Sequence, residues 1–356
     1  MVTSRAIKIG ILNADAPYSL ERYYAEEIIK CGSVDLTRMP GRTVRAIRPT
    51  SVVAAALQRI IEPCDRYMFN SRLSGYVTKA QLDVLIIFKG WNIEPRTLDE
   101  IRRANPRVIL VNYNPDDPLS AVLKGSSNER IRACIPKYDL YLTFSETIAK
   151  GLRNAGSEAV CAIPFGYVES TMYIADNVAA GESGRFLMYG AWDPDRQALV
   201  GRLGDFPLDV HGNGWIGSRQ KCGPIHTIGG KNLYGQELRS KVRAAIGVIN
   251  PLRHQNRMSH NMRTYEVAAM GGLQLAPATE EHVSLFGRSG ALLYRSEDEL
   301  RALMQEVVRS PTAFEHVRSE GARVMRGHSY RDRAKCIVDM LKSIDGDRRR
   351  HGDSPD

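Results

Sequence analysis

The sequence predicts an α/β protein with two domains, each built around a parallel sheet that helices cover on both faces. Short runs rich in Val, Ile and Leu alternate with amphipathic segments along the whole chain, which is typical of such sheets. The length of 356 residues suits two domains of ordinary size. A composition of 43% hydrophobic and 25% charged residues excludes a disordered chain, a collagen-like repeat and a coiled coil.

The apolar runs predict strands, and the segments with helical periodicity between them predict helices. In chain order, strands are predicted at 7–13, 84–88, 108–112, 140–144, 186–189, 208–211, 245–250, 273–276 and 291–294. Helices are predicted at 51–61, 97–105, 146–155, 195–203, 235–244, 262–270, 297–308 and 311–325. The last of these begins with Pro311, which the first turn of a helix accepts because its N–H is not needed there.

The alternation of strands and helices breaks once, between residues 164 and 184, where the sequence loses its periodicity. We expect a domain over 1–165, a linker over 166–184, a second domain over 185–330, a closing helix over 331–344 and a disordered tail over 345–356. Ligands of parallel sheets bind at the carboxyl ends of the strands, so a cleft between two facing domains is the expected site.

The chain is basic, with a net charge of +9 and a pI near 9.3, and is therefore expected to attract anions. Residues 239–263 hold six basic residues and no acid. This segment runs from a strand end through a loop to the start of a helix, where free N–H groups favour an anion. It predicts a diphosphate site with Arg253 and Arg263 as ligands, and the alternative is a solvated basic face. The segment has no aromatic residue, which argues against nucleic acid.

Arg263 and Glu266 lie three residues apart and therefore share one face of the predicted helix. A carboxylate offers two acceptor oxygens to the vicinal hydroxyls of a ribose. We expect Glu266 to bind ribose while Arg263 binds phosphate. The alternative is a simple ion pair within the helix.

The segment Arg263–Gly272, with the pattern Arg-x-x-Glu-x-Ala-Ala-x-Gly-Gly, resembles the donor-site helix of GT-B glycosyltransferases, in particular the bacterial group related to the spore-maturation protein CgeB. Further segments resemble that group at 112–118, 141–145, 163–166, 188–196, 211–215, 293–300 and 328–333. The resemblance implies two Rossmann-like domains facing a cleft, with a nucleotide-sugar donor in the C-terminal domain and an acceptor in the N-terminal one. It also implies no cofactor and no bound metal.

Other donor-binding residues are expected near the strand ends of the second domain. They are Gly190, Trp192, Asn213, Gly214, Trp215, Asn250, His254 and Tyr265. Packing in the core is the alternative for Trp215, and a solvated loop position is the alternative for His254. Arg196 is also expected to border the site, with a surface position as its alternative. The run 212–217 matches G-x-G-x-x-G, but no helix follows it, so we reject a dinucleotide fingerprint.

The sequence departs from many retaining members of this fold in two ways. Met258 stands where they have the first glutamate of Glu-x7-Glu, and all eight histidines lie at 211 or later, so the first domain has none. The retaining mechanism is therefore not carried over, and an inverting one needs a base. Asp15, Asp116 and Asp117 are the candidates, and turn formation is the alternative for all three.

We expect a cytoplasmic enzyme that transfers a sugar of the hexose type to a glycan, lipid-linked or protein acceptor, without nucleic acid as a partner. The six scattered cysteines suit reduced thiols rather than zinc. No apolar run reaches 18 residues, which leaves only peripheral contact with the inner face of a membrane. The open alternatives are a non-catalytic binder of polysaccharide or nucleic acid, a nucleotide-sugar epimerase and an inactive transferase.

Overall fold

The computed structural model describes residues 5–12, 16–39, 52–120, 127–173, 181–217, 226–253 and 259–352. The chain forms two compact units, one of Met1–Pro164 with Arg331–Asp356 and the other of Phe165–Tyr330. Each unit has a six-stranded parallel sheet of its own.

The sheet of the first unit has the order β2-β1-β3-β4-β5-β6. Its strands are β1 (Ile7–Leu12), β2 (Val34–Met39), β3 (Val84–Phe88), β4 (Ile109–Asn114), β5 (Leu140–Thr143) and β6 (Val160–Ala162). All residues of β3, β4 and β5 are buried, because helices cover both faces of a parallel sheet. The strand order reverses between β1 and β3.

Five helices of this unit connect its strands, namely α1 (Leu20–Ile28), α2 (Val52–Ala80), α3 (Pro95–Ala104), α4 (Glu129–Cys134) and α5 (Glu146–Asn154). Ser19 and Asn128 cap α1 and α4 by accepting from backbone N–H groups, and Pro95 opens α3. The helix predicted to end at residue 61 continues to Ala80 and passes through Pro63. Beyond the proline, the buried Leu73 and Val77 stabilise the added turns.

The sheet of the second unit has the order β12-β11-β10-β7-β8-β9. Its strands are β7 (Phe186–Tyr189), β8 (Leu208–His211), β9 (Thr227–Gly229), β10 (Gly247–Ile249), β11 (Gln274–Pro277) and β12 (Leu292–Tyr294). Its helices are α6 (Glu169–Met172), α7 (Pro194–Arg202), α8 (Gly235–Ala244), α9 (Met262–Ala269), α10 (Glu280–Phe286), α11 (Glu297–Arg309) and α12 (Glu315–Val324). Its core includes Phe186, Leu208, Ile249, Leu275 and Met304, all buried.

A final helix, α13 (Tyr330–Gly352), belongs mainly to the first unit. The prediction of a disordered tail from residue 345 is wrong as far as Gly352. Arg348 pairs with Asp139 at 2.5 Å and donates to the Val108 carbonyl at 2.8 Å. These contacts stabilise turns whose composition alone predicts disorder. Among the described residues, no helix is both long and apolar enough to cross a bilayer.

Candidate functional site

The candidate donor site lies in the second unit at the carboxyl ends of β7 and β10, which pair side by side. The strand order reverses at this pair, since β7 leads towards β8 and β10 leads towards β11 on the other side. Such a reversal opens a crevice at the strand ends where ligands of α/β sheets bind. Gly190 follows β7 directly, and Asn250 follows β10.

The start of α9 is fixed to the end of β10. Asn261 caps the helix by accepting from the Thr264 N–H at 3.2 Å, and the Thr264 hydroxyl accepts from the Asn261 N–H at 3.3 Å. Asn261 Nδ2 also donates to Asn250 Oδ1 at 2.8 Å. The fully buried Asn250 therefore joins the helix start to the strand end.

Arg263, in the first turn of α9, is oriented by two hydrogen bonds. Its Nε donates to Asn250 Oδ1 at 2.9 Å, and its Nη1 donates to the Tyr189 carbonyl at 3.1 Å. The guanidinium carbon also lies 5.7 Å from the centroid of the Tyr189 ring. Within the described residues, Nη2 has no partner, so it remains available to a ligand. Burial lowers the pKa of Arg263, but the group stays charged at neutral pH.

Two further arginines lie beside Arg263. The buried Arg196 donates from Nη1 to the Ala191 carbonyl at 2.8 Å, and its Nε lies 3.4 Å from Asp193 Oδ2. Arg253 Nε lies 3.6 Å from the same carboxylate oxygen. Burial, followed by the positive charge of Arg263, lowers the pKa of Arg196 to about 9. The three guanidinium groups therefore form a cluster of positive charge beside the carboxylates of Asp193 and Glu266.

Glu266 is buried one turn further along α9 and accepts from the Tyr189 hydroxyl at 3.2 Å. Burial raises the pKa of Glu266, while the charge of Arg263 and the bond from Tyr189 lower it in part. These two described residues, Arg263 and Glu266, form no ion pair within the helix, since Arg263 donates to Asn250 and Tyr189 instead. Within the part of the chain that the structure describes, Tyr189 bonds one carboxylate oxygen of Glu266, and the other oxygen is available to a ligand.

A cavity of about 280 Å³ opens beside Arg196. Its wall includes Leu199, Leu252, Pro277 and Tyr294, from α7 and from the ends of three neighbouring strands. Asp195, Arg202, Arg295 and Glu297 also line the cavity, so its wall is charged as well as apolar, and it gives room beside Arg196 for part of a ligand.

The described residues contain no group of three His, Cys, Asp or Glu side chains placed to hold a metal ion. The positive charge described above comes from Arg196 and Arg263 at the starts of α7 and α9 and from Arg253 in the loop after β10. Helix starts add a partial positive charge to it.

The structure corrects two predicted donor contacts. Trp215 is fully buried in the core, and its Nε1 donates to the Gly190 carbonyl at 2.9 Å, so its ring is closed to a ligand. Tyr265 is also buried, with its hydroxyl 3.5 Å from His260 Nε2. Both residues serve packing, because the apolar positions of the loop and of α9 face the core.

The predicted donor residues not yet placed either lie at the rim of the site or are among those that the structure does not describe. Trp192 is 38% exposed and its backbone N–H donates to the Asn213 carbonyl at 2.9 Å. Asn213 and Gly214 are exposed beside it. His254 and the predicted base Asp15 lie outside the described residues.

The two other predicted bases lie in the first unit, after β4. Asp117 accepts from the Leu119 N–H at 2.9 Å and so takes part in a turn, which is the alternative to catalysis that the sequence left open. Asp116 forms an ion pair with Lys89. Neither carboxylate is left without a protein partner.

Sequence reasoning placed Arg196 at the border of the site without recognising it as buried, and it missed two residues: Asp193 as the partner of Arg196 and Tyr189 as the partner of Glu266. The pattern Asp193-Pro-Asp-Arg196 carries a signal for Asp193, because a helix-capping Asp is followed three residues later by an Arg. Tyr189 carries no such signal, since it reads as the end of an apolar strand.

Part of the chain matches a known protein family, and several solved structures share its fold. Residues 196–339 match a family model described as Glycosyl transferase-like. No curated protein matches the sequence. HepE from Anabaena, in complex with UDP-glucose, superposes with a TM-score of 0.65 at 13% identity, over 95% of this chain and 100% of that one. The chain has the GT-B fold.

Two further solved structures share the GT-B fold. The trehalose-6-phosphate protein from E. coli bound with UDP-2-fluoro glucose has a TM-score of 0.66 at 10% identity, over 94% of this chain and 99% of that one. The pneumococcal O-GlcNAc transferase GtfA, in complex with UDP and GlcNAc, has a TM-score of 0.54 at 10% identity over 76% of this chain. The chain spans only 59% of the length of GtfA.

Proposed function

We propose that the protein is a glycosyltransferase that moves a sugar from a nucleoside-diphosphate sugar to an acceptor hydroxyl without a metal ion. The observation that carries the proposal is the group of Arg196, Arg253 and Arg263 at the strand reversal of the second unit. The match of residues 196–339 to the Glycosyl transferase-like family model supports it.

A diphosphate suits this group better than other anions do. Arg263 Nη2 has no partner in the described chain, and Arg196 lies close to Arg263, with its pKa lowered first by burial and then by that charge. An anion bound between them would relieve the repulsion and gain charge-assisted hydrogen bonds. A diphosphate carries enough negative charge to meet three guanidinium groups.

The remainder of the donor would lie beside the diphosphate. We propose that the free oxygen of Glu266 accepts from a ribose hydroxyl, as the sequence predicted. The cavity beside Arg196 supports this by offering space for a further part of the donor. In several solved structures of the same fold, the bound molecule is UDP or a UDP-sugar.

In the transfer, the acceptor hydroxyl gives its proton to a general base, and its oxygen forms a bond to the anomeric carbon while the bond from that carbon to the diphosphate oxygen breaks. The electron pair leaves with the nucleoside diphosphate, and the three arginines stabilise the charge that develops there. Stabilisation of this kind is worth about 3 kcal/mol for each well-placed donor. The arginines and the start of α9 take the place that a metal ion has in other transferases.

The test is a binding panel of UDP, GDP, ADP, TDP and pyrophosphate, measured by calorimetry on the wild type and on Arg263→Ala. Arg288→Ala is the control, since Arg288 is an exposed arginine of the same unit outside the site. We expect at least one diphosphate to bind, with about 10- to 100-fold loss in Arg263→Ala and none in Arg288→Ala. The matching nucleotide sugars are then tested for turnover.

Failure of every diphosphate to bind would overturn the proposal and favour a non-catalytic binder of polysaccharide. Conversion of a nucleotide sugar into its epimer, without release of nucleotide, would favour an epimerase. We also propose that the chain is related to the CgeB-like group of glycosyltransferases, because its segment Arg263–Gly272 resembles the donor-site helix of that group.

A further inference from the structure

The long helix α2 of the first unit exposes several large apolar side chains to solvent. Ile61, Tyr67, Met68 and Tyr76 are 49%, 75%, 48% and 42% exposed, and Cys64 on the same helix is exposed as well. The structure describes every side chain of α2 from residue 61 to residue 80. A single exposed apolar residue is ordinary, but a group of neighbouring ones marks a surface of interaction.

These side chains lie on one face of the helix. Ile61, Cys64 and Met68 are separated by three and four residues, so they follow one another along that face. Because each residue of a helix turns by about 100°, Tyr67 and Tyr76 fall on opposite sides of this line. The outer face of α2 is therefore an apolar stripe with one tyrosine on each side. We call the exposed residues of α2 from Ile61 onwards the α2 face.

The α2 face carries positive charge and no exposed acid. Arg72 and Lys79 are exposed towards the C-terminal end of the helix. Within the part of the chain that the structure describes, neither forms an ion pair. Of the two acids of α2 from residue 61 onwards, Asp65 is buried and Glu62 is half-buried. No carboxylate exposed on this face therefore neutralises the two cations.

The neighbouring helix α3 adds cations at the same edge of the sheet. It packs against α2, and both helices end just before a strand of the parallel sheet, so both C-terminal ends lie at its amino edge. Arg103, in the last turn of α3, and Arg107, just after it, are exposed. The two carboxylates of α3 are already in ion pairs, which are Asp99–Lys137 and Glu100–Arg96. This end of the α2 face therefore suits an anionic partner.

The combination of side chains suits an anionic bilayer better than a second copy of the chain. A helix with an apolar face and cations lies in the plane of a membrane interface, where tyrosine rings are also favoured. Long cationic side chains reach from such a helix to the level of the lipid phosphates. If two copies met through this face, the cations of both would come together with no exposed acid of α2 opposite them.

We propose that the α2 face docks the protein on the surface of a membrane that contains anionic lipids. Ile61, Tyr67 and Met68 enter the boundary between head groups and acyl chains, while Arg72 and Lys79 bind lipid phosphates. The contact is peripheral, since only one face of the helix takes part. The inference concerns the first unit alone and does not depend on the proposed transferase function.

The test is sedimentation of the full chain with two kinds of vesicle, one of phosphatidylcholine alone and one of phosphatidylcholine mixed with phosphatidylglycerol. The wild type is compared with Arg72→Gln/Lys79→Gln and with Tyr67→Ser/Met68→Ser. Two matched controls change exposed residues of the second unit, namely Arg288→Gln/Arg309→Gln and Val283→Ser/Val308→Ser. Thermal unfolding followed by circular dichroism shows that each variant is folded.

We expect the wild type to bind the vesicles with phosphatidylglycerol much more strongly than those without it, and more weakly as salt is added. Removal of Arg72 and Lys79 should weaken binding by about 30-fold, or about fivefold for each cation. Removal of the Tyr67 and Met68 side chains should weaken it by about tenfold or more, because less apolar surface is buried. The control variants should keep the wild-type affinity, and diphosphate affinity should be unchanged in every variant.

Failure of the wild type to bind vesicles with phosphatidylglycerol would overturn the proposal. An equal loss in Arg288→Gln/Arg309→Gln would show that net charge rather than the α2 face is responsible. A vesicle-free dimer that Tyr67→Ser/Met68→Ser dissociates would identify a second copy as the occupant and overturn membrane docking. Failure of the wild type to bind any diphosphate would overturn the proposed function and leave this inference standing.

Discussion

Gly190 and Arg263 approach each other so closely that no side chain fits between them. A Cβ atom added to Gly190 would lie 2.4 Å from Arg263 Nη1 and 3.2 Å from Arg196 Nη1. Gly190 also has φ at +128°, a conformation that residues with side chains rarely adopt. The glycine therefore allows two guanidinium groups to meet at the end of β7.

Replacing Gly190 with alanine should displace Arg263 from the Tyr189 carbonyl. We expect nucleoside-diphosphate affinity to fall by about tenfold or more, since one charge-assisted hydrogen bond is worth about 1.5–3 kcal/mol. Calorimetry measures the effect. Gly184→Ala is the matched control, because Gly184 also has positive φ but has nothing within 4 Å of an added Cβ. Equal losses in both variants would show that backbone strain alone is responsible.

Asn250→Leu should separate the positioning of Arg263 from its charge. The substitution keeps the approximate volume but removes the acceptor shared by Arg263 Nε and Asn261 Nδ2. We expect a loss of about 1–3 kcal/mol in the free energy of unfolding, because buried donors are left unpaired. Diphosphate affinity should fall as well, by less than in Arg263→Ala. Denaturant unfolding and calorimetry measure the two effects, and unchanged affinity would show that Arg263 does not depend on Asn250.

The sequence predicted the alternation of strands and helices because strands such as β3, β7 and β8 are apolar runs between turn residues. It missed β2, β6 and β9, which are half-buried or only three residues long and therefore lack a strong apolar signal. It predicted too short a helix at α2, where Pro63 reads as a stop although tertiary packing carries the helix past it.

At the site, the sequence indicated Arg253, Arg263 and Glu266 because they are charged residues at a strand–helix junction. It did not distinguish the buried Trp215 from a stacking residue, since the side of a loop that faces the core is set by tertiary packing. For the same reason it did not decide between a place at the site and a surface position for Arg196, since that choice depends on which strand ends are neighbours in the sheet.

Glu266→Gln should have opposite effects on stability and on binding. Burial raises the pKa of Glu266 in the folded chain, so the ionised form destabilises the fold above that pKa. The variant should therefore be more stable than the wild type at neutral pH, and the difference should shrink as pH falls and the glutamate is protonated. It should bind nucleoside diphosphates more weakly while binding pyrophosphate unchanged, because only the former have a ribose. Equal loss for both ligands would contradict the ribose role.

Removal of divalent cations should leave donor binding and transfer unchanged. The proposal assigns the neutralisation of the diphosphate to Arg196, Arg253 and Arg263, so excess EDTA should not alter calorimetric affinity or nucleotide release. Added Mg²⁺ should not raise either by more than about twofold, a change worth less than 0.5 kcal/mol by the usual conversion. Loss of turnover in EDTA, restored by Mg²⁺, would contradict the metal-independent part of the proposal.

His282 should make the second unit sensitive to acid. It is fully buried, with Nε2 2.9 Å from the Thr264 hydroxyl and Nδ1 2.7 Å from the Pro277 carbonyl, and burial lowers its pKa from 6.5 to about 4. Between these pH values the unfolded chain binds a proton that the folded chain excludes, so the free energy of unfolding should fall as pH drops from 6.5 to 4. A depression of this size corresponds to about 3 kcal/mol. Denaturant unfolding at several pH values measures it in His282→Gln, with the exposed His316→Gln as the control. A flat stability profile in the wild type would contradict the role given to His282. Because Thr264 takes part in the capping box of the helix that carries Arg263, diphosphate affinity should also weaken over the same pH range.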